Sequence, residues 1–290
     1  MLSVRSAAMK AQIKLVHPIV KRMNLKNERK AQDAVGLLGA TALANKIEYV
    51  EEKFDKFEAE WAKPINGGKN AILYLHGGAY VTGSIAYAKG FGGVLSELTN
   101  RNTLCVGYRL APENPFPAAV NDAAEAYIRM LKTYEPQQIS VIGESAGGGL
   151  IFALMLRIKE MKLPMPKSIV AISPWADLTC SYPSYTTNSK VDPSLTRESL
   201  RFSARLYARS DLMNPLVSPV YGDLTGLPKT LIFAGTDELL LDDTAVLSNR
   251  LRVAGVDCET HIQEGMWHVY VLFGIPEAKE ALEKIKNFVK

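Results

Sequence analysis

From about residue 70 onward, short apolar runs rich in β-branched residues alternate with stretches of helical spacing. The runs lie at 71–75, 103–108, 139–142, 168–173, 230–235 and 258–262. Helical patterns fill the intervals near 88–98, 118–131, 150–158 and 243–253, and another begins near 277. Continuous apolar strands alternating with helices predict a mostly parallel sheet covered on both faces, an α/β fold. Ahead of it, Val50, Phe54 and Phe57 alternate with charges, as expected of antiparallel edge strands. Two stretches do not fit the alternation. In residues 1–45, Met9, Ile13, Val16, Val20 and Met23 recur at helical spacing among basic residues. That segment is expected to pack as helices on the body with its lysines solvated, and its basic face also admits a membrane-surface role. Residues 180–215 lack strand character and carry one helical stretch near 200–207.

Composition excludes more than it selects. The chain has 290 residues, enough for one large domain with a sizeable core, and 47% hydrophobic with 22% charged residues is ordinary for a globular protein. The net charge of +4 is spread along the chain, and no dense Lys/Arg block interleaves with aromatics, so nucleic-acid binding is not expected. Cys105, Cys180 and Cys258 are odd in number and lack metal-ligand spacing, which suits reduced packing residues. The N-terminus shows no signal-peptide pattern, and no apolar run reaches the length of a membrane span. A cytoplasmic protein without stable membrane insertion is the expectation.

The chemistry centres on residues 141–149, Val-Ile-Gly-Glu-Ser-Ala-Gly-Gly-Gly. A G-x-S-x-G between an apolar strand and a long helix has the context of a nucleophile elbow, which lifts the Ser145 hydroxyl above the sheet. His76, Ser145, Asp237 and His268 each follow a strand, so all four converge on the carboxyl edge where ligands bind in open α/β sheets. A serine hydroxyl needs a neighbouring base, and His268 can take and return its proton. Asp237 is the expected partner of the imidazolium, and the order Ser…Asp…His matches that motif. Asp242 and Asp243 read as first-turn carboxylates favoured by the helix dipole. Gly77, Gly78, Ala79 and Ala146 offer backbone N–H groups for an oxyanion. His76 reads as positioning that loop, and His17 and His261 as structural.

Together these residues resemble a known family. His76-Gly77-Gly78-Ala79-Tyr80, Tyr108-Arg109-Leu110-Ala111-Pro112-Glu113, Gly143-Glu144-Ser145-Ala146-Gly147-Gly148, Ser173-Pro174-Trp175-Ala176-Asp177-Leu178-Thr179 and Asp237-Glu238-Leu239-Leu240 occur in the order of the hormone-sensitive-lipase-like α/β-hydrolase esterases, especially bacterial ones. The resemblance implies an α/β-hydrolase core at 46–179 and 215–290, with a helical cap at 1–45 and 180–214. It also implies the triad Ser145, Asp237 and His268, and hydrolysis of short- to medium-chain carboxylic esters without metal or cofactor. The chain departs from the usual pattern at Ala79, Glu144 and Trp267. Tyr80, Glu144 and Trp267 become candidates for the substrate pocket. The expected partner is a small-molecule ester, with a homodimer left open. Two alternatives stand beside this reading: a deacetylase or amidase with the same triad, and a non-catalytic binding module on the same scaffold.

Overall fold

A computed structural model describes residues 2–20 and 22–290. Eight strands form one sheet in the order β1-β2-β4-β3-β5-β6-β7-β8. The strands are β1 (Ile47–Glu52), β2 (Glu58–Pro64), β3 (Ala71–Leu75), β4 (Asn102–Gly107), β5 (Ile139–Glu144), β6 (Ser168–Ile172), β7 (Lys229–Gly235) and β8 (Cys258–Gln263). β1 pairs antiparallel with β2, β2 pairs antiparallel with β4, and the other five pairings are parallel. The middle strands β3, β5 and β6 are buried at every position, as their unbroken apolar runs require. β8 closes one edge and is only half-buried, with Glu259 and Ile262 exposed.

Helices cover both faces. On one lie α3 (Ile85–Thr99) and α9 (Pro276–Val289), which bury Ile85, Leu95, Ala281 and Ile285 against Ile72, Tyr74, Val170 and Phe233. On the other lie α4 (Ala118–Met130), α5 (Ala146–Glu160) and α8 (Leu241–Val253), packed on Leu73, Val141 and Ile169. The two stretches outside the alternation are helical. Residues before β1 form α1 (Val4–Val20) and α2 (Leu25–Ala42), and the segment between β6 and β7 holds α6 (Ser184–Thr187) and α7 (Arg197–Ala208).

α2 lies directly on α3. A Cβ on Gly36 would sit 2.3 Å from the Ala86 carbonyl oxygen, and one on Gly90 would sit 2.7 Å from that of Gly36. Only hydrogen at both positions lets the two backbones meet at that distance.

β3 is central to function because it has parallel neighbours on both sides. The chain leaves β3 for β4 on one side and later returns to β5 on the other. The loops after β3 and β5 therefore part at this switch point and leave a crevice at the carboxyl edge.

Candidate active site

Ser145 stands between β5 and α5 with φ 56° and ψ −122°. Its N–H donates to the Ile172 carbonyl at the end of β6, and its own carbonyl accepts from Gly149 and Trp175. The turn is held from three sides and the hydroxyl points off the sheet. The flanking glycines are a steric necessity, since a Cβ on Gly147 would lie 2.1 Å from the Leu75 carbonyl oxygen.

His268 arrives from the loop after β8. Its Nε2 lies 2.9 Å from Ser145 Oγ, so the hydroxyl can donate to it. Ser145 and His268 remain 8% and 6% exposed, enough for a small substrate to reach them from the edge. The loops after β7 and β8 are laced together: Asp237 N–H donates to the Met266 carbonyl (2.9 Å), and Gly265 N–H to Thr236 Oγ1 (2.7 Å).

The acid facing His268 is not the expected one. Asp237 turns outward and forms an ion pair with Lys10 of α1. The next residue, Glu238, is fully buried and places Oε2 3.3 Å from His268 Nδ1. Successive side chains point opposite ways where the chain leaves β7, and glutamate's extra methylene spans the remaining gap. Burial pushes the Glu238 carboxyl up, and the bond to His268 pulls it back toward ionisation. The insertion holds this loop in place: Asn188 Nδ2 donates to the carbonyls of Thr236 and Glu238 (both 2.9 Å), and Asp192 accepts from Leu239 N–H (2.8 Å). Sequence reading missed Glu238, Asn188, Asp192 and Lys10. Only Glu238 carried a signal, as the second acid of an Asp-Glu pair after a strand.

The loop after β3 faces Ser145 across the crevice. Gly78, Ala79 and Tyr80 all have positive φ, at 112°, 51° and 63°. The N–H groups of Gly78, Ala79 and Ala146 have no hydrogen-bond acceptor among the described residues. Gly77 differs from the expected donor set, because its N–H is already given to Glu144 Oε1 at 2.6 Å. His76 is fully buried, stacked on Tyr108 at 4.2 Å, and donates from Nδ1 to the Gly77 carbonyl at 2.6 Å. Burial lowers its pKa to about 4, which keeps the ring neutral.

The three pocket candidates all lie below the surface. Glu144 is buried and accepts from Tyr74 (2.6 Å) and Tyr87 (3.2 Å) as well as Gly77, with its pKa raised by burial to about 7. Tyr80 stacks on Tyr207 of α7 at 3.8 Å, tying the loop after β3 to the insertion. Trp267 turns into the core against Phe273 rather than toward Ser145. Bulky apolar rings beside a polar crevice were drawn into packing. Asp243 lies in the first turn of α8 as expected, and it is fully buried there, accepting from the backbone N–H groups of Ala176 and Asp177 (3.1 and 2.9 Å).

The chain is similar in sequence and fold to known proteins. A family model described as alpha/beta hydrolase fold matches residues 72–272. An acetyl-hydrolase of Streptomyces hygroscopicus is 37% identical over 236 residues, covering 80% of this chain and 79% of that protein. An esterase of Acinetobacter venetianus is 35% identical over 222 residues, covering 75% and 73%. Among solved structures, EstE5 soaked with p-nitrophenyl butyrate superposes with a TM-score of 0.91 at 34% identity, covering 99% of this chain and 98% of that one. An esterase from the bacterial hormone-sensitive lipase family reaches 0.90 at 33%, covering 100% and 98%. The chain belongs to the α/β-hydrolase family, in its bacterial hormone-sensitive-lipase-like branch of carboxylic ester hydrolases.

Proposed function

We propose that the chain hydrolyses short- to medium-chain carboxylic esters through an acyl-enzyme on Ser145, with His268 as base and Glu238 as its acid. The observation that carries this is the chain of contacts from Ser145 Oγ to His268 Nε2 and from His268 Nδ1 to Glu238. As Ser145 Oγ attacks the ester carbonyl, its proton passes to Nε2. Glu238 accepts the Nδ1–H, fixes the tautomer and balances the imidazolium. The carbonyl oxygen gains charge as the tetrahedral intermediate forms, and the N–H groups of Gly78, Ala79 and Ala146 are free to bind it. Collapse breaks the C–O bond, and His268 returns the proton to the departing alcohol. Water then attacks the acyl-enzyme by the same route and releases the acid. His76 and Glu144 hold the Gly77 peptide from its two sides and so fix the loop that carries two of these donors.

The acyl range is supported by a relative named for acetyl hydrolysis and a neighbour soaked with a butyrate ester. The relative's name also favours a second reading, removal of acetyl groups from a larger alcohol or amine by the same machinery. Residues 1–45 and 180–214 are read as a cap because Lys10, Asn188 and Asp192 reach the acid-bearing loop from outside the sheet. The half-buried edge strand β8 is where a second copy would pair. The three free cysteines suit a reducing compartment such as the cytoplasm.

The test is steady-state hydrolysis of p-nitrophenyl esters across acyl lengths, with Ser145→Ala alongside. Turnover that peaks at short or medium chains and vanishes in the variant supports the reading. Folded protein that neither turns over any ester nor reacts with a phosphonate at Ser145 overturns it.

A further inference from the structure

The net charge, expected above to be spread along the chain, is concentrated at its start. Residues 1–30 hold eight Lys and Arg and one Glu, a net +7, while the whole chain is +4, so the other 260 residues are net negative. α1 and α2 carry most of that charge. Arg5, Lys14, Arg22, Lys26 and Lys30 are exposed and make no ion pair among the described residues.

α1 is apolar on two faces. Leu2, just before it, and Met9 and Ile13 within it pack on the body. Val4, Ala8, Ala11, Leu15 and Ile19 follow one another at steps of four, three, four and four residues and form a separate exposed stripe. Val4, Leu15 and Ile19 are 88%, 77% and 62% exposed. α2 adds Val35 and Leu38, exposed by 65% and 73%.

Both helices border the catalytic edge. Lys10 donates to the Gly265 carbonyl (3.1 Å) and pairs with Asp237, between the loops that bear Glu238 and His268. Arg29 of α2 donates to the carbonyls of Val81 (2.8 Å) and Ala111 (2.9 Å), beside the loop after β3.

We infer that α1 and α2 form a docking face for an anionic lipid surface. An exposed aliphatic stripe rimmed by unpaired Lys and Arg is what lets a helix lie in the headgroup layer with its apolar side buried. Charge selects this occupant. A second copy of the same face would bring two +7 segments together, whereas anionic headgroups neutralise one. No helix among the described residues is long and apolar enough to cross a membrane, so the association is peripheral. The helices border the site, so docking holds the catalytic edge near esters dissolved in the lipid. That last consequence rests on the esterase reading, while the docking itself does not.

The experiment is flotation of the full chain with vesicles of phosphatidylcholine alone and of phosphatidylcholine mixed with phosphatidylglycerol. Two double variants accompany it, Leu15→Glu with Ile19→Glu and Lys14→Glu with Lys26→Glu. Hydrolysis of p-nitrophenyl butyrate without vesicles reports folding and activity separately, and both variants should keep it. The expected result is binding to the mixed vesicles only, released at about 1 M salt, where screening is nearly complete. Each double variant should lower it roughly tenfold or more. Absence of binding to the mixed vesicles overturns the inference. So does binding unchanged in Leu15→Glu with Ile19→Glu, or a solution dimer of the parent chain that this variant dissociates, which would assign the stripe to a second copy. Loss of ester hydrolysis in the parent chain would count against the esterase reading alone.

Discussion

Glu238→Gln removes the anion beside His268 Nδ1 while keeping the side chain's volume. It should lower kcat by roughly 10²–10⁴, the range for losing a triad acid. Asp237→Asn, one residue earlier, should change kcat only a few-fold, because Asp237 faces Lys10. Steady-state kinetics on one ester decides between them, and equal losses in both would remove the distinction drawn between the two acids. Glu144 invites a different experiment. Its carboxylate accepts from three donors, one of them the Gly77 N–H. Glu144→Gln puts an NH2 among donors and frees that peptide, so kcat should fall about 10–10²-fold with KM nearly unchanged. The same variant should affect stability in the opposite sense. The folded pKa of about 7 lies above the ordinary 4.5. The stability linked to this group is therefore full below pH 4.5 and is lost as pH rises through about 7, a difference of roughly 3 kcal/mol. The melting temperature of Glu144→Gln relative to the parent should climb across that window. A flat difference would show that Glu144 does not titrate there.

At the scale of elements, the crossing of α2 on α3 depends on Gly36 and Gly90. Gly36→Ala would drive a methyl into the Ala86 carbonyl and should destabilise by about 1–3 kcal/mol, read by thermal denaturation. An unchanged melting temperature would mean that the helices can part freely. Much of this level was legible beforehand. Short apolar runs rich in β-branched residues and bounded by turn signals fit strands covered on both faces, and β3, β5 and β6 are such strands. The G-x-S-x-G stretch marked its turn because only glycine tolerates the approach of β3. Legibility ended where the direction of a side chain decides. Asp237 and Glu238 are adjacent acids, and spacing does not say which of them turns inward. Tyr80 and Trp267 were equally ambiguous, since an aromatic beside a catalytic motif can line a pocket or fill the core. The partners that settle the matter, Lys10 and Tyr207, are distant in sequence.

For the molecule as a whole, the site exists because loops after β3, β5, β7 and β8 meet at one edge of the sheet, and no one of them carries the chemistry alone. Ser145→Ala and His268→Ala should therefore each remove nearly all turnover, and the double variant should be scarcely worse. Additive losses would contradict a shared proton path. The elbow itself bears on heat resistance. Serine at φ 56° and ψ −122° occupies backbone space that side chains avoid, at a typical cost of about 1–3 kcal/mol. Ser145→Ala keeps the Cβ and should melt where the parent does. Ser145→Gly releases the strain and should melt a few degrees higher, although it has lost the nucleophile. Selection for heat resistance alone would then erase the one residue the reaction needs, so in an ordinary lineage the persistence of a serine at this turn would itself be a record of selection for turnover.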